Sequence, residues 1–187
     1  MPASGNGTGP KVRPCPRHCG PTIFGVPISR ASSSSVTADT VTPLTVTDQA
    51  SRYLLACEAF ESTREPGVFD AFRRLFAQCG LPIAIRSDNG LPFASPNGLY
   101  NLSKLSVWWL RLGITLERIR PGRPQQNGRH ERMHLTLKQE ATKPPGQNIL
   151  QQQARFDAFV SEFNQGRPHE ALDMQVPASL YVASARP

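Results

Sequence analysis

A chain of 187 residues has room for one domain of about 100–150 residues plus tails, and its 21 Lys and Arg against 14 Asp and Glu give a formal charge of +7. The excess favours a polyanionic partner, nucleic acid ahead of an anionic membrane surface, because the sequence has neither an apolar run of about 18 residues nor a basic amphipathic helix without acidic neighbours. No continuous apolar stretch of a secretory signal opens the chain, so a cytoplasmic protein is expected, with its four cysteines kept as thiols.

Residues 1–42 hold 6 Pro, 5 Gly and 6 Ser and follow neither a period of 2 nor one of 3.6, which predicts a disordered tail. Within it, Cys15 and Cys19 flank His18, but structural zinc needs four spaced ligands, and Cys57 and Cys79 read instead as small buried apolar residues. From Pro43 the character changes. L-T-V-T-D and then S-R-Y-L-L-A-C-E-A-F predict one apolar strand or the two arms of a bend. Val68, Phe69, Phe72, Leu75 and Phe76 recur at helical spacing over residues 66–79, with Pro66 suited to a first turn and Gly80 to the stop.

L-P-I-A-I-R-S-D-N-G predicts a short strand ending in a polar turn, so Asp88 falls at a strand's carboxyl end, where open α/β sheets carry their sites. A Pro/Gly loop at 91–98 precedes a predicted helix over 99–112, whose Trp108 and Trp109 are expected in the core or an interface. Ile114 to Ile119 predict another strand, and P-G-R-P-Q-Q-N-G a polar loop. A long helix should run from Gly128 to Ala141, stop before Pro144 and Pro145, and give way to a further helix over 148–164. Alternating strands and helices make the fold class α/β.

Three residues carry the candidate chemistry: Asp88 after its strand, Glu131 in the first turn of the long helix, and Lys138 seven residues on. Glu131, Leu135 and Lys138 share one helix face. Carboxylates converging from a strand end and a helix can hold hard divalent cations, and two such ions can clamp the attacking and leaving oxygens of a phosphoryl transfer. From Arg111 to Lys138 there are seven cations (111, 118, 120, 123, 129, 132 and 138) against Glu117 and Glu131, a stretch able to contact several phosphates. Spacing alone is weak support, because an Asp-Asn-Gly turn is most often a turn and a Glu at a helix start is favoured by the helix dipole. His130 and His134 read as a polar helix face, and Arg167, Pro168 and His169 as residues that fix local structure.

T-D-Q-A-S-R-Y-L-L-A, R-S-D-N-G-L-P-F, R-P-Q-Q-N-G-R-H-E-R-M-H-L-T-L-K-Q-E and F-N-Q-G-R-P-H-E-A-L stand in this order across residues 43–182. Together they resemble the signature blocks of bacterial insertion-sequence transposases of the integrase (DDE) type, related to retroviral integrases. The resemblance implies a ribonuclease H-like mixed sheet flanked by helices. It also implies Mg²⁺- or Mn²⁺-dependent cleavage at transposon ends followed by strand transfer into target DNA, a homo-oligomeric assembly and a nucleoid-associated place in a bacterial cytoplasm. By motif, Asp88 matches the second catalytic and metal-binding acid, Glu131 the third, and Lys138 the basic residue that follows it. With Lys138, Arg123, Arg129 and Arg132 of the basic stretch are the expected DNA contacts. Between Asp88 and Glu131 lie 42 residues, more than the family usually has.

The family's first acid belongs to a strand upstream of P-L-T-V-x-D, in a motif like W-x-x-D-F-K-G, and nothing here matches it. Asp48 occupies a position that the family does not use for metal and is given a structural role, while Asp39 has no matching context. With permitted synonymous codons, residues 27–42 read two bases later give D-F-K-G-E-F-K-L-G-D-G-R-Y-C-Y directly before Pro43. The expectation is therefore a frameshifted or truncated copy: residues 1–42 a tail, the first strand missing or degraded, 43–182 the core-like domain and 183–187 a short tail. Two functions compete, an active strand transferase whose first acid is supplied from elsewhere, for instance by Asp48 after rearrangement, and a non-catalytic fragment that binds DNA or transposase. A housekeeping ribonuclease fits the basic helix after Glu131 less well.

Overall fold

The computed structural model describes residues 21–25, 41–60, 65–87, 89–118 and 128–187. Of the two options for the segment after Pro43, the chain takes two arms of a bend: β2 (Thr42–Asp48) and β3 (Leu54–Phe60) pair antiparallel, from Thr42↔Phe60 to Thr47↔Leu54. The carboxylate of Asp48 closes their turn, accepting from the Ser51 N–H at 2.8 Å and the Ser51 hydroxyl at 2.6 Å. Asp48 thus has the structural role expected of it.

Two expectations are corrected. The first strand is not missing, nor is all of 1–42 a tail: β1 (Pro21–Gly25) runs antiparallel to β2, from Pro21↔Asp48 to Gly25↔Leu44. It also runs parallel to β4 (Ala84–Ser87) through Thr22↔Arg86, and β4 runs parallel to β5 (Thr115–Arg118). The sheet order is β3-β2-β1-β4-β5. The physical reason is that β2 and β4 would otherwise face each other as unpaired edges, and P-T-I-F-G offers enough extended backbone to satisfy both. Residues 27–40, read above as a shifted frame, lie outside the described residues.

The second correction shortens the helix expected over 99–112, which begins only at α2 (Lys104–Arg111). Ser103 caps it, accepting from the Ser106 N–H, and Tyr100 and Asn101 just before it hold φ of 54° and 56°, which no helix continues. Gly80, at φ +75°, ends α1 (Glu65–Cys79) as anticipated.

Period-2 alternation on β2 divides the core. Leu44 and Val46 join Phe72 and Leu75 of α1, Ile85, Leu105, Trp109 and Ile114 on one face. On the other face Leu54 and Cys57 meet Met133, Leu137 and Ala141, contributed by and just after α3 (Gly128–Glu140), and Phe156 and Phe159 of α4 (Ile149–Ser161). Trp109 is fully buried, as the sequence implied. Burial pushes the Cys57 thiol up, and Cys57 and Cys79 are both free.

β3 is an edge strand, and side chains following it in sequence by about a hundred residues cover that edge. Asn164 accepts from the Leu54 N–H at 2.8 Å and donates to the Leu54 carbonyl at 3.0 Å, while Gln153 accepts from Ala59 N–H at 2.8 Å and donates to the Cys57 carbonyl at 3.0 Å. Replacing Asn164 by Leu would strand a buried donor and acceptor, so Asn164→Leu is expected to lower stability by about 2 kcal/mol in urea denaturation. An unchanged midpoint would show that water or a shifted helix satisfies both groups.

Past α5 (Pro177–Leu180), residues 183–187 lie across the ends of α1 and α2. Ser184 N–H donates to the Cys79 carbonyl at 2.9 Å, and the Arg186 guanidinium donates to the carbonyls of Pro82 at 2.6 Å and Leu112 at 3.2 Å.

Candidate functional site

The placement of Glu131 follows from what its neighbours bury. His130 is 4% exposed, and its Nε2 lies 3.0 Å from Thr45 Oγ1 on β2. His134 Nε2 is 2.8 Å from the same oxygen and 2.7 Å from His130 Nε2. Burial lowers the His134 pKa from 6.5 to about 4, so the ring is neutral. With Met133 and Leu137 these histidines form the inward stripe of α3, which turns Glu131, Arg132, Leu135 and Lys138 to solvent. The shared face read from helical spacing is therefore present. The two histidines are a buried anchor rather than a polar helix face, a contact no sequence period could reveal because Thr45 lies 85 residues from His130.

The sheet register shows where this helix start sits. Thr45 pairs with Phe24 of β1, and Thr22, two residues earlier on β1, pairs with Arg86 of β4. Thr45 therefore lies level with the carboxyl end of β4, about 10 Å away across two strand spacings. β4 ends at Ser87, next in sequence to Asp88. Asp88 and Arg123 themselves lie outside the described residues, as does the side chain of Arg129, whose backbone belongs to the first turn of α3. Arg132 and Lys138 make no ion pair among the described residues, whereas Arg86 is paired with Glu117 at 2.7 Å and Arg167 with Glu140 at 2.8 Å. The last pair ties Arg167 to the end of α3.

Donors for a pair of divalent ions are incomplete among the described residues. Glu131 offers one exposed carboxylate, the strand Pro21–Gly25 has none, and Asp48 is engaged by Ser51. No group of three or more His, Cys, Asp or Glu is placed to hold a metal among the described residues. No helix among them is long and apolar enough to cross a membrane.

Residues 112–177 match the family model described as integrase core domain. An uncharacterised 31.7 kDa protein of insertion element IS407 from Burkholderia multivorans is 30% identical over 100 residues, which cover 53% of this chain and 34% of that protein. The match thus spans about a third of that relative's length. Among solved structures, the catalytic core of HTLV-2 integrase in complex with magnesium superposes with a TM-score of 0.61 at 14% identity, covering 89% of this chain and 97% of that one. The catalytic core of BIV integrase gives a TM-score of 0.61 at 16% identity over 86% and 91% of the two chains. The simian T-cell lymphotropic virus intasome, in complex with PP2A regulatory subunit B56 gamma, gives 0.65 at 16% identity over 92% and 56%. The fold is that of an integrase catalytic core, ribonuclease H-like.

Proposed function

We propose that this chain, whose residues 112–177 match an integrase core domain and which is similar to an insertion-element protein, is a transposase-type core that binds DNA through the outward face of α3 and performs no strand cleavage or transfer. The observation that carries this reading is the division of α3: its buried face is fixed to β2 by two histidines, so Arg132 and Lys138 face solvent beside Glu131. Cations held on a rigid helix, with no acid pairing them among the described residues, are available to phosphates. Integration and transposition are the processes that the integrase core serves, and Mg²⁺ or Mn²⁺ supplies its Lewis acidity when bound. Here Glu131 and Asp88 are the residues that would hold one ion. The strand in the place of the family's first acid is P-T-I-F-G, which carries no carboxylate, so among the described residues a two-ion clamp lacks a ligand from that strand.

An active enzyme using Asp48 as its first acid is the competing reading, and the Ser51 hydrogen bonds disfavour it. Joining a homo-oligomeric assembly is part of the proposal. The gene's nucleotides provide a direct check of its origin: D-F-K-G in the adjacent frame over residues 27–42 supports a shifted copy, and its absence removes that explanation.

DNA binding is tested by electrophoretic retardation across a salt series. The chain should retard duplex DNA at about 50 mM salt and release it steeply above that, with Arg132→Ala and Lys138→Ala each reducing the log–log salt slope by about 1. A chain that fails to retard DNA at low salt overturns the reading.

A further inference from the structure

Between β4 and α2 the chain builds a projecting loop with a packed base and an apolar tip. At the base, Phe93 and Ala94 are 1% and 2% exposed, Phe93 stacks on Trp109, and its carbonyl accepts from the hydroxyls of Ser103 and Ser106. Higher up, Ala94 bridges to Leu102, Ser95 N–H donates to the Asn101 carbonyl at 3.1 Å, and Arg118 donates to the same carbonyl at 2.7 Å. Gly98 is packed so tightly that a Cβ would come within 2.2 Å of the Leu102 carbonyl oxygen. This is a rigid support. What it supports is Leu99 at 80% exposure and Tyr100 at 84%, with Leu91 beside the base at 64%.

The backbone holds this tip against its own preference. Tyr100 sits at φ 54° and ψ 26° and Asn101 at φ 56°, two successive side-chain-bearing residues in the left-handed region that glycine would occupy freely. Strain of this kind persists where surrounding bonds over-determine it, and it gathers at sites that contact ligands. The helix after the loop carries basic side chains. From Asn89 to Leu116 there is no acidic residue, and Lys104 and Arg111 are exposed. The loop also leaves the sheet at the carboxyl end of β4, the level at which α3 meets the sheet.

We propose that Leu99 and Tyr100 form a wedge that stacks on an unpaired or unstacked base of bound DNA. This rests on the DNA-binding reading above. A tyrosine ring on a base needs one exposed ring and a polyanion-tolerant surround, and both are present. Apolar side chains of this kind enter base steps in DNA-bending proteins. A second copy of the chain is the rival occupant, but a stable protein interface uses about 20–30 residues a side, and three apolar side chains fall far short of that.

The test compares a duplex carrying a single bulged thymine with its fully paired counterpart, using the intact chain, Tyr100→Ala, Leu99→Ser and Tyr100→Phe. The intact chain should prefer the bulged duplex, and Tyr100→Ala should bind it roughly ten-fold more weakly with the salt slope unchanged, because the ring touches no phosphate. Leu99→Ser should lose part of the preference and Tyr100→Phe should keep it. Permanganate reactivity of the bulged thymine should fall on binding the intact chain and stay high with Tyr100→Ala. Both tip residues are exposed, so circular dichroism melting should be unchanged. Equal binding and equal permanganate patterns for the intact chain and Tyr100→Ala overturn the wedge while leaving DNA binding standing, whereas absence of any retardation overturns the DNA-binding reading itself. A Tyr100→Ala chain that sediments as a smaller species with unaltered DNA binding assigns the tip to a second copy and also overturns the wedge.

Discussion

Incubated with duplex DNA carrying transposon-end sequence and either Mg²⁺ or Mn²⁺, the chain is expected to yield no nicked and no joined product. A two-ion clamp needs ligands on both sides, and the family resemblance implies a first acid on the strand upstream of P-L-T-V-x-D. In this chain the central strand is Pro21–Gly25, without an acid. Removing one preorganised group from a charge-stabilising site costs about 10²–10³-fold in rate, and losing the ligand that positions the water-activating ion should cost at least as much. Asp88→Asn and Glu131→Gln should therefore behave like the starting chain in the cleavage assay, with DNA retardation intact in all three. A chain with the D-F-K-G segment restored should regain divalent-ion binding by calorimetry. Metal-dependent nicking by the unaltered chain, lost in Asp88→Asn, would show the site to be complete.

Acid should loosen the fold through His134. Its folded-state pKa is lowered from 6.5 to about 4 by burial, so the unfolded chain binds the proton more readily than the folded one. Stability is then fully present above pH 6.5, falls as the pH drops towards 4, and levels off below. The loss is of the order of 3 kcal/mol from this residue alone. His169, whose pKa is lowered by burial and by Arg52 and Arg167, adds to the loss in the same direction. Urea denaturation at a series of pH values should show the midpoint falling across this window, and His134→Gln, which keeps a polar partner for Thr45, should flatten most of the slope. A pH-independent midpoint would mean that the ring takes up its proton as readily in the folded protein as in the unfolded chain. The consequence for function is direct, because the Thr45 contacts hold the helix that presents Glu131, Arg132 and Lys138.

Much of this was legible before any coordinates. Apolar spacing located α1, and the R-S-D-N-G and H-E-R-M-H strings marked the end of β4 and the start of α3. The first strand was not legible, because P-T-I-F-G is a five-residue strand set among prolines, glycines and serines, and its conformation depends on β2 and β4 accepting it from both sides. Leu99, Leu102 and Leu105 keep a helical spacing before α2, which a capping serine and two left-handed residues override. Nor did any local pattern pair Asn164 with Leu54, 110 residues away.

That last distance sets a schedule for synthesis. β3 leaves the ribosome long before Asn164 exists, and at about 5–20 residues per second the delay is roughly 5–20 s. Throughout it, the outer N–H and C=O groups of β3 are open to any extended chain nearby, since the two amide side chains that later imitate a neighbouring strand have not been made. A nascent or prematurely terminated copy ending before α4 would carry a sticky edge of seven residues, so such truncations should accumulate in aggregates or on holdase chaperones, whereas copies that include Asn164 should stay dispersed.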